Sequence, residues 1–441
     1  MKNGKFYIAT FGCRTNQADS AALREDFQLE EFEETLRPSE ADVVVVNSCT
    51  VTHRSDQQVR QLTRRMCRES PGARIIITGC YAQRAPLALA GIPGVDAVVG
   101  NSHKGELVRI ATESGTAGAS PLGHHEIAAI YRDDFKKIRS MEVTAAAQTG
   151  GRTRPFVKIQ DGCDAKCSYC IIPQVRGPSR SVPPELILDQ VRYLIDQGFK
   201  EVVLTGIHIG TYGIHFKNRI SLDQLLQQIV SLPGLLRLRV SSIEPMKLSR
   251  RVIELAASCD RIAPHFHICL QSGSDSVLRR MRRPYTVRRF SSILEEIDRR
   301  LPDAGIGTDI VTGFPGETEA DHRQTVSFVQ QMPFTYLHVF PYSDRPGTVA
   351  SQMPDRVRSQ DIRARANELR CLSEEKNRAF RKRFVGKKLS VLTLTEKEEG
   401  LRTALSGNYL KAKVDDTVPA NFIIDGTVLK EDAKGFQILK I

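Results

Sequence analysis

One segment decides how this chain is interpreted: Gln160-Asp161-Gly162-Cys163-Asp164-Ala165-Lys166-Cys167-Ser168-Tyr169-Cys170. It places three cysteines in the spacing Cys-x3-Cys-x2-Cys on a tight loop that directly follows a predicted strand. Three thiolates can hold three irons of a four-iron cluster and leave the fourth iron open to a further ligand. The segment therefore predicts an open [4Fe–4S] cluster on Cys163, Cys167 and Cys170.

Zinc and a disulfide are the competing interpretations of these three cysteines. A structural zinc site needs four protein ligands, and no fourth cysteine or histidine lies nearby in the sequence. An odd number of cysteines in a reducing compartment also disfavours disulfide bonding. Both alternatives explain the spacing less well than an open cluster does.

The segments around this loop alternate between strand and helix patterns. Strands are predicted at 156–160, 201–205, 236–241, 265–270, 307–311 and 336–340, with helices that begin near Pro184, Leu222, Leu248, Asp275 and Glu319. Parallel strands need helical crossovers, so six such units favour a partial (β/α)6 barrel over residues 151–375. Ligands bind such folds at the carboxyl ends of the strands, where the cysteine loop falls.

A smaller α/β unit with a doubly wound parallel sheet is predicted at residues 1–115, followed by a linker at 116–150. Its strands, at 6–10, 43–47, 74–78 and 97–100, are separated by helical patterns such as 55–69. Cys13, Cys49 and Cys80 each follow one of these strands. Parallel strands end on the same sheet edge, so the three thiols are expected to converge on a second [4Fe–4S] cluster. Three buried, unliganded cysteines are the alternative.

The last segment, 376–441, changes to short strands predicted at 389–395, 408–414 and 422–429, which favours a small antiparallel β-barrel. It holds 14 Lys and Arg against 8 Asp and Glu, a net charge of +6 that is half of the whole chain's +12. A basic terminal barrel is typical of RNA-binding modules. The alternative is a solvated basic helix face through Arg381-Lys382-Arg383 and Lys387-Lys388.

The composition predicts a cytoplasmic protein with a polyanionic partner. No apolar stretch approaches a membrane span, and the N-terminus lacks the apolar region of a signal peptide, so no membrane contact is expected. In a reducing compartment the ten cysteines are metal ligands, catalytic thiols or buried residues rather than disulfides. Cys67, Cys259, Cys269 and Cys371 fall inside helix or strand patterns and are predicted to be packing residues.

With Tyr169 directly before its last cysteine, the loop resembles the signature of the radical S-adenosylmethionine (SAM) superfamily. The resemblance implies that SAM chelates the open iron and is cleaved to methionine and a 5′-deoxyadenosyl radical. It implies SAM-binding roles for Tyr169, for Gly206 and Glu244 at later strand ends, and for Asp309 at the start of an adenine-side segment.

The N-terminal three-cysteine unit, the barrel and the basic β-module together resemble the radical SAM methylthiotransferase family over essentially the whole chain. The resemblance implies that the N-terminal cluster supplies or carries the sulfur and that the tail is a TRAM-like RNA-binding domain. It also implies two uses of SAM, as methyl donor and as radical source, and an electron donor such as flavodoxin or ferredoxin.

Three branches of this family differ in substrate: isopentenyladenosine in tRNA, threonylcarbamoyladenosine in tRNA, or an aspartate of a ribosomal protein. The segments 12–17, 47–52, 205–213 and 407–411 resemble the threonylcarbamoyladenosine branch most, which implies insertion of a methylthio group at C2 of that base next to the tRNA anticodon. Arg14, Thr15 and Ala18 depart from the Lys, Val and Tyr expected for the branch. The other two substrates and a non-catalytic iron–sulfur RNA-binding protein are the alternatives.

Two further features have open roles. His208 is predicted either to contact substrate or to cap a strand end. The basic segment from Arg279 to Arg283 is predicted either to track phosphates, with Tyr285 stacking on a base, or to be a solvated helix end.

Overall fold

The valine run from Val43 to Val46 is fully buried at the centre of a six-stranded parallel sheet. The computed structural model, which describes residues 3–113, 127–135, 152–432 and 434–440, covers both faces of this sheet. Val44 and Val46 pack on one face, and Val43 and Val45 on the other. A strand buried on both sides is a continuous β-branched run, so the predicted doubly wound sheet is confirmed.

The N-terminal sheet has the order β2-β1-β3-β4-β5-β6, and every strand pair is parallel. Its strands are β1 (Lys5–Thr10), β2 (Glu33–Glu34), β3 (Val43–Ser48), β4 (Arg74–Gly79), β5 (Ala97–Gly100) and β6 (Ala129–Tyr131). Its helices are α1 (Arg14–Leu29), α2 (His53–Glu69), α3 (Cys80–Arg84), α4 (Pro86–Ala90) and α5 (Leu107–Thr112). Helix α2 begins at a capping box between Thr52 and Ser55.

Strand β6 lies inside the segment that was interpreted as a linker. It pairs with β5 through Ala97–Ala129 and Val99–Tyr131, since the edge of β5 would otherwise leave its backbone groups unpaired. Residues 127–135 therefore belong with the sheet. The remainder of the predicted linker, 116–126 and 136–150, lies outside the described residues.

The central unit is the predicted partial barrel. Its parallel strands form two sheets, β7-β10-β11 and β12-β13-β14, joined by bridges between Leu238 and Ile262 and between Ile243 and Ile268. The strands are β7 (Phe156–Lys158), β8 (Gln160–Asp161), β9 (Arg180–Ser181), β10 (Glu201–Thr205), β11 (Arg237–Val240), β12 (His265–His267), β13 (Gly305–Thr312) and β14 (Tyr336–Pro341). The helices are α6 (Ile172–Arg176), α7 (Pro184–Asp196), α8 (Leu222–Val230), α9 (Arg250–Ser258), α10 (Asp275–Arg280), α11 (Val287–Arg300), α12 (Glu319–Gln331) and α13 (Ser359–Lys382).

The C-terminal unit is a closed five-stranded barrel in the order β15-β16-β17-β19-β18. Its strands are β15 (Lys388–Glu398), β16 (Leu401–Ser406), β17 (Lys411–Asp415), β18 (Ile423–Glu431) and β19 (Gln437–Lys440). Helix α13 runs through the boundary predicted at 376, so the barrel strands begin only at Lys388. The β17–β19 pair is parallel, which departs from the fully antiparallel barrel expected from the sequence.

A buried charge network joins the N-terminal unit to the barrel. The Asp19 carboxylate on α1 accepts hydrogen bonds from Lys104 (2.9 Å), from Lys158 of β7 (2.5 Å) and from Arg176 at the end of α6 (2.9 Å). Arg176 also binds Asp161 at 2.9 Å. Burial alone would raise the pKa of Asp19, but the three cations outweigh it and hold the pKa well below its usual range.

We predict that Asp19→Asn lowers the free energy of unfolding by about 3–5 kcal/mol, because it leaves buried cations without their counterion. Urea denaturation followed by circular dichroism measures the loss. The surface pair Asp189–Arg192 provides a control, and Asp189→Asn should cost less than about 1 kcal/mol.

The same network predicts a pH dependence. Because the folded pKa of Asp19 is lowered, its stabilisation is present above the unfolded value of about 4 and is lost as the pH falls towards the folded value. The difference in stability between wild type and Asp19→Asn should therefore shrink below about pH 4. A difference that stays constant down to pH 2 would contradict the ionised state of Asp19.

Candidate active site between the sheet and the barrel

Cys13, Cys49 and Cys80 lie at the carboxyl ends of β1, β3 and β4, on one edge of the N-terminal sheet. Gly12 has a φ of +109°, and a Cβ there would lie 3.2 Å from the Cys49 Sγ, so the loop that carries Cys13 passes directly over Cys49. The structure thus brings the three cysteines together, as the strand order predicts.

Burial dominates the chemistry of the Cys49 thiol. Burial and the neighbouring Cys80 and Cys13 together raise the pKa of Cys49 to about 12. Iron binding to Cys49 must therefore release its proton. One cationic group already faces the trio: Arg176, 1% exposed, donates from Nε to the Cys80 Sγ at 3.3 Å.

Cys163, Cys167 and Cys170 lie on the loop between β8 and α6. Burial raises the pKa of Cys163 to about 11 and that of Cys170 to about 12. Arg283, itself buried, donates from Nη1 to the Cys167 Sγ at 3.3 Å. Each trio therefore has three clustered thiols and one buried guanidinium aimed at a sulfur, a donor set that suits an anionic thiolate-bound cluster.

The N-terminal unit and the barrel contact each other beside Cys80. The Cys80 side chain packs against Ile171, the residue after Cys170, and against Val175 of α6. Asn101 bridges the two units, since its Nδ2 lies 2.9 Å from the Val175 carbonyl oxygen and 3.6 Å from the Cys80 Sγ. The loop that carries the second trio therefore leads directly into the contact with the first.

Three buried polar atoms at the carboxyl ends of the barrel strands have no hydrogen-bond partner among the described residues: His208 Nε2, Ser241 Oγ and Thr312 Oγ1. They follow or end β10, β11 and β13, beside the cysteine loop. Buried polar groups normally have hydrogen-bond partners. Three without a partner at the strand ends fit a polar ligand such as SAM. His208 also places Nδ1 3.4 Å from the Cys163 Sγ, and burial lowers its pKa.

The residues that the superfamily resemblance assigned to SAM lie in different surroundings. Tyr169 stacks edge-on against Phe314 at 6.4 Å. A Cβ on Gly206 would lie 2.7 Å from the Gln160 carbonyl oxygen, so this glycine permits close backbone packing beside the loop. Glu244 binds Arg283 through both carboxylate oxygens, which links it to Cys167. The SAM-binding roles of these residues remain predictions.

Asp309 lies in a cluster that sequence patterns did not indicate. His267 Nε2 is 2.9 Å from its Oδ1, His338 Nδ1 is 3.3 Å away, and the Cys269 Sγ is 3.4 Å from its Oδ2. Burial opposes ionisation, but hydrogen bonds from the two histidines lower the pKa of Asp309 below its ordinary value. Cys269, predicted to be a packing residue, is instead part of this polar cluster inside the barrel.

The basic segment from Arg279 to Arg283, at the end of α10, is partly internal. Arg283 is buried against Glu244 and Cys167, and the Tyr285 hydroxyl donates to the carbonyl oxygens of Cys269 and Leu270. Neither residue is available to phosphates or bases, which corrects that interpretation for this pair. Arg279 and Arg282 are exposed.

Sequence reasoning missed the two arginines that face the cysteine trios. Arg176 and Arg283 have no spacing motif, and their acidic partners Asp19 and Glu244 are distant in the chain. Only their burial and their contacts in the folded chain identify them.

Comparison with known proteins identifies the family. Residues 5–100 match the model of the uncharacterized protein family UPF0004, and residues 157–329 match the radical SAM superfamily. A threonylcarbamoyladenosine tRNA methylthiotransferase MtaB from Aquifex aeolicus is 37% identical over 93% of this chain and 96% of its own. The chain belongs to the radical SAM methylthiotransferase family.

Other members of the methylthiotransferase family agree with this placement. The MtaB protein of Bacillus subtilis is 36% identical over 91% of this chain and 88% of its own. A tRNA-2-methylthio-N(6)-dimethylallyladenosine synthase from Corynebacterium urealyticum is 30% identical over 98% and 81%. The protein is therefore a radical SAM enzyme whose cofactors are [4Fe–4S] clusters and SAM.

A solved structure supports the fold. The radical SAM methyltransferase TsrM from Kitasatospora setae superposes with a TM-score of 0.56 at 17% identity, covering 80% of this chain and 77% of its own. At that identity the likeness concerns the fold alone. In the described part of the chain, no helix has the length and apolarity needed to cross a membrane.

The two trios predict the iron content of the reconstituted protein. Wild type should hold about eight irons per chain, and Cys→Ala replacement of either trio should leave about four. Iron analysis of anaerobically reconstituted protein measures this. Replacement of Cys67, Cys259 and Cys371, which lie outside the site, provides the matched control. Full iron retention after replacement of Cys13, Cys49 and Cys80 would contradict the second cluster.

Proposed function

We propose that this enzyme inserts a methylthio group at C2 of N6-threonylcarbamoyladenosine in the anticodon stem-loop of tRNA. The observation that carries the proposal is the pair of cysteine trios, one on each of two folds that contact each other beside Cys80. Names of relatives at 33–37% identity over most of the chain support the substrate branch.

The six cysteines would hold the two clusters. With SAM and an external electron donor, the clusters would supply the radical that removes the hydrogen, and the sulfur and the methyl group that replace it. Arg176 and Arg283 stabilise negative charge on the sulfurs that they contact. Because burial lowers its pKa, His208 stays neutral beside Cys163 and offers an uncharged nitrogen to a ligand.

The C-terminal barrel is proposed to bind the RNA. Lys387, Lys388 and Lys411 are exposed, as is Lys382 at the end of α13, whereas Arg381, Arg402 and Lys413 are buried. The tail's net charge of +6 thus remains largely on the surface, which suits phosphate contacts.

The remaining parts of the proposal concern the cellular setting. Reductive use of SAM requires an electron donor, for which a flavodoxin or ferredoxin is suitable. A tRNA substrate and thiol-ligated clusters both suit the cytoplasm.

Deletion of the gene should remove the methylthio form of N6-threonylcarbamoyladenosine from cellular tRNA, because this enzyme alone would make it. Nucleoside mass spectrometry of tRNA measures it, and complementation with the wild-type gene is the control. Loss of the methylthio-isopentenyl form instead would move the enzyme to the other tRNA branch. Unchanged tRNA would favour the ribosomal-protein substrate, which the basic tail and the Ile207-His208 context currently disfavour.

SAM cleavage distinguishes an enzyme from a non-catalytic iron–sulfur RNA-binding protein. The reduced wild type should cleave SAM, and replacement of Cys163, Cys167 and Cys170 by alanine should abolish cleavage. Replacement of Cys13, Cys49 and Cys80 should preserve cleavage but abolish methylthio transfer. Chromatographic detection of 5′-deoxyadenosine measures this. Cleavage that survives in the Cys163/Cys167/Cys170 variant would refute our assignment of the radical cluster.

A further inference from the structure

Positive charge accumulates at the floor of the barrel, by which we mean the amino ends of its strands, where Glu201, His265 and Tyr336 begin β10, β12 and β14. Four arginines meet there: Arg14, Arg154, Arg237 and Arg239. Glu201 lies within 3.7 Å of three of them. Across the described ranges, no carboxylate forms a salt bridge with Arg14.

Arg14 reaches the floor from the N-terminal unit. It is the first residue of α1, it directly follows Cys13, and α1 packs against β7 and β10. The hydrogen-bond partner of its guanidinium is neutral: Nη2 donates to the Tyr409 hydroxyl at 3.2 Å. The guanidinium is therefore half-buried at the floor of the barrel, with unused hydrogen-bonding capacity, on the residue that follows Cys13 in the chain.

Tyr409 fixes the position of this group. Its ring stacks on His265 at 4.4 Å and on Tyr336 at 5.9 Å, and the Arg239 guanidinium lies over it at 5.3 Å. Tyr409 has a φ of +71°, and the turn that holds it sits against Gly305, where an added Cβ would lie 2.2 Å from the Asn408 carbonyl oxygen. The hydroxyl that faces Arg14 is thus held by a rigid, closely packed turn.

The excess of positive charge at the floor of the barrel favours an anionic ligand. Arg154 is close enough to Arg14 for repulsion, and burial together with its cationic neighbours outweighs Glu201 and lowers its pKa. A bound anion would relieve that repulsion. Guanidinium groups bind carboxylates through paired hydrogen bonds, so a carboxylate is the matching chemistry.

The proposed substrate carries such a group. C2 and the N6 substituent belong to the same six-membered ring of adenine, and the threonylcarbamoyl substituent ends in a carboxylate. C2 must approach sulfur at the trio that contains Cys13, and Arg14 is the next residue. We propose that Arg14, with Arg154 behind it, binds the threonyl carboxylate and selects this base; the inference rests on the proposed function.

The subsite would also reject the other modified adenosine. An isopentenyl tail has no charge and would cover two guanidinium groups without pairing them, which is costly for buried donors. The anionic alternative is a phosphodiester of the anticodon loop, which would be bound irrespective of the base modification.

The test compares three anticodon stem-loops: one with N6-threonylcarbamoyladenosine, one with its carboxylate converted to the methyl ester, and one with unmodified adenosine. Fluorescence anisotropy with the cluster-loaded full chain gives the Kd. Wild type should bind the carboxylate form about 10- to 100-fold more tightly than the ester. Arg14→Gln should abolish that preference. Arg14→Lys should keep part of it, because the charge remains without the planar fork.

Two matched variants separate ligand binding from a structural role. Arg24→Gln lies on the same helix, where Arg24 pairs with Glu34 at 2.6 Å, and should keep the full preference. Tyr409→Phe removes the hydroxyl that positions Arg14 but keeps the stacked ring and the Arg14 charge, so it should weaken the preference without abolishing it. If Arg14 only braced Tyr409, Tyr409→Phe and Arg14→Gln would behave alike, and that result would overturn the proposal.

The remaining outcomes are also decisive. If Arg14→Gln weakens all three RNAs equally, the group contacts a phosphodiester and the carboxylate subsite is refuted. If wild type methylthiolates the carboxylate substrate and its ester equally well, the subsite fails while the proposed function stands. If wild type methylthiolates only an isopentenyladenosine stem-loop, the proposed function fails and the subsite fails with it.

Discussion

The buried ion network centred on Asp19 and Arg176 is the interaction on which the site depends. Asp19 belongs to the N-terminal unit, whereas Lys158 and Arg176 belong to the barrel, so the network holds the two units together. The same Arg176 guanidinium contacts Asn16 and the Cys80 sulfur. A buried charge network tolerates few alternative geometries, because an unpaired charge there is expensive. It therefore fixes the N-terminal unit, with its cysteine trio, against the barrel.

The N-terminal unit also covers an open side of the partial barrel. In the described sheets, β7 and β14 each have only one barrel-strand neighbour, and α1 packs beside β7. The helix that follows Cys13 is thus also the helix that covers the barrel's side. The C-terminal turn at Tyr409 meets α1 at Arg14, so all three units make contact near the start of α1.

Buried thiols and buried guanidinium groups occur together at both trios. Burial, as the largest cause, raises the pKa values of Cys49, Cys163 and Cys170. Arg176 and Arg283 donate hydrogen bonds to the sulfurs of Cys80 and Cys167. Cluster assembly in such a site is coupled to proton release, and the protein supplies cationic partners in advance for the charge that assembly creates.

The sequence by itself determined the strand–helix alternation, the grouping of six cysteines into two trios, and the family. Periodicity, strand-end placement and ligand spacing are local properties. Residues whose roles depend on distant partners were decided only by the tertiary structure. Arg283 and Tyr285 belong to a segment that the sequence pattern left open as a surface segment, but both are internal. Cys269 was predicted to be a packing residue, but its thiol contacts Asp309. Arg14 differs from the Lys expected for the branch by a substitution that keeps the charge. In the folded chain it is a cation without a salt-bridge partner among the described residues. Burial and pairing across hundreds of residues leave no local pattern, so folding alone reveals them.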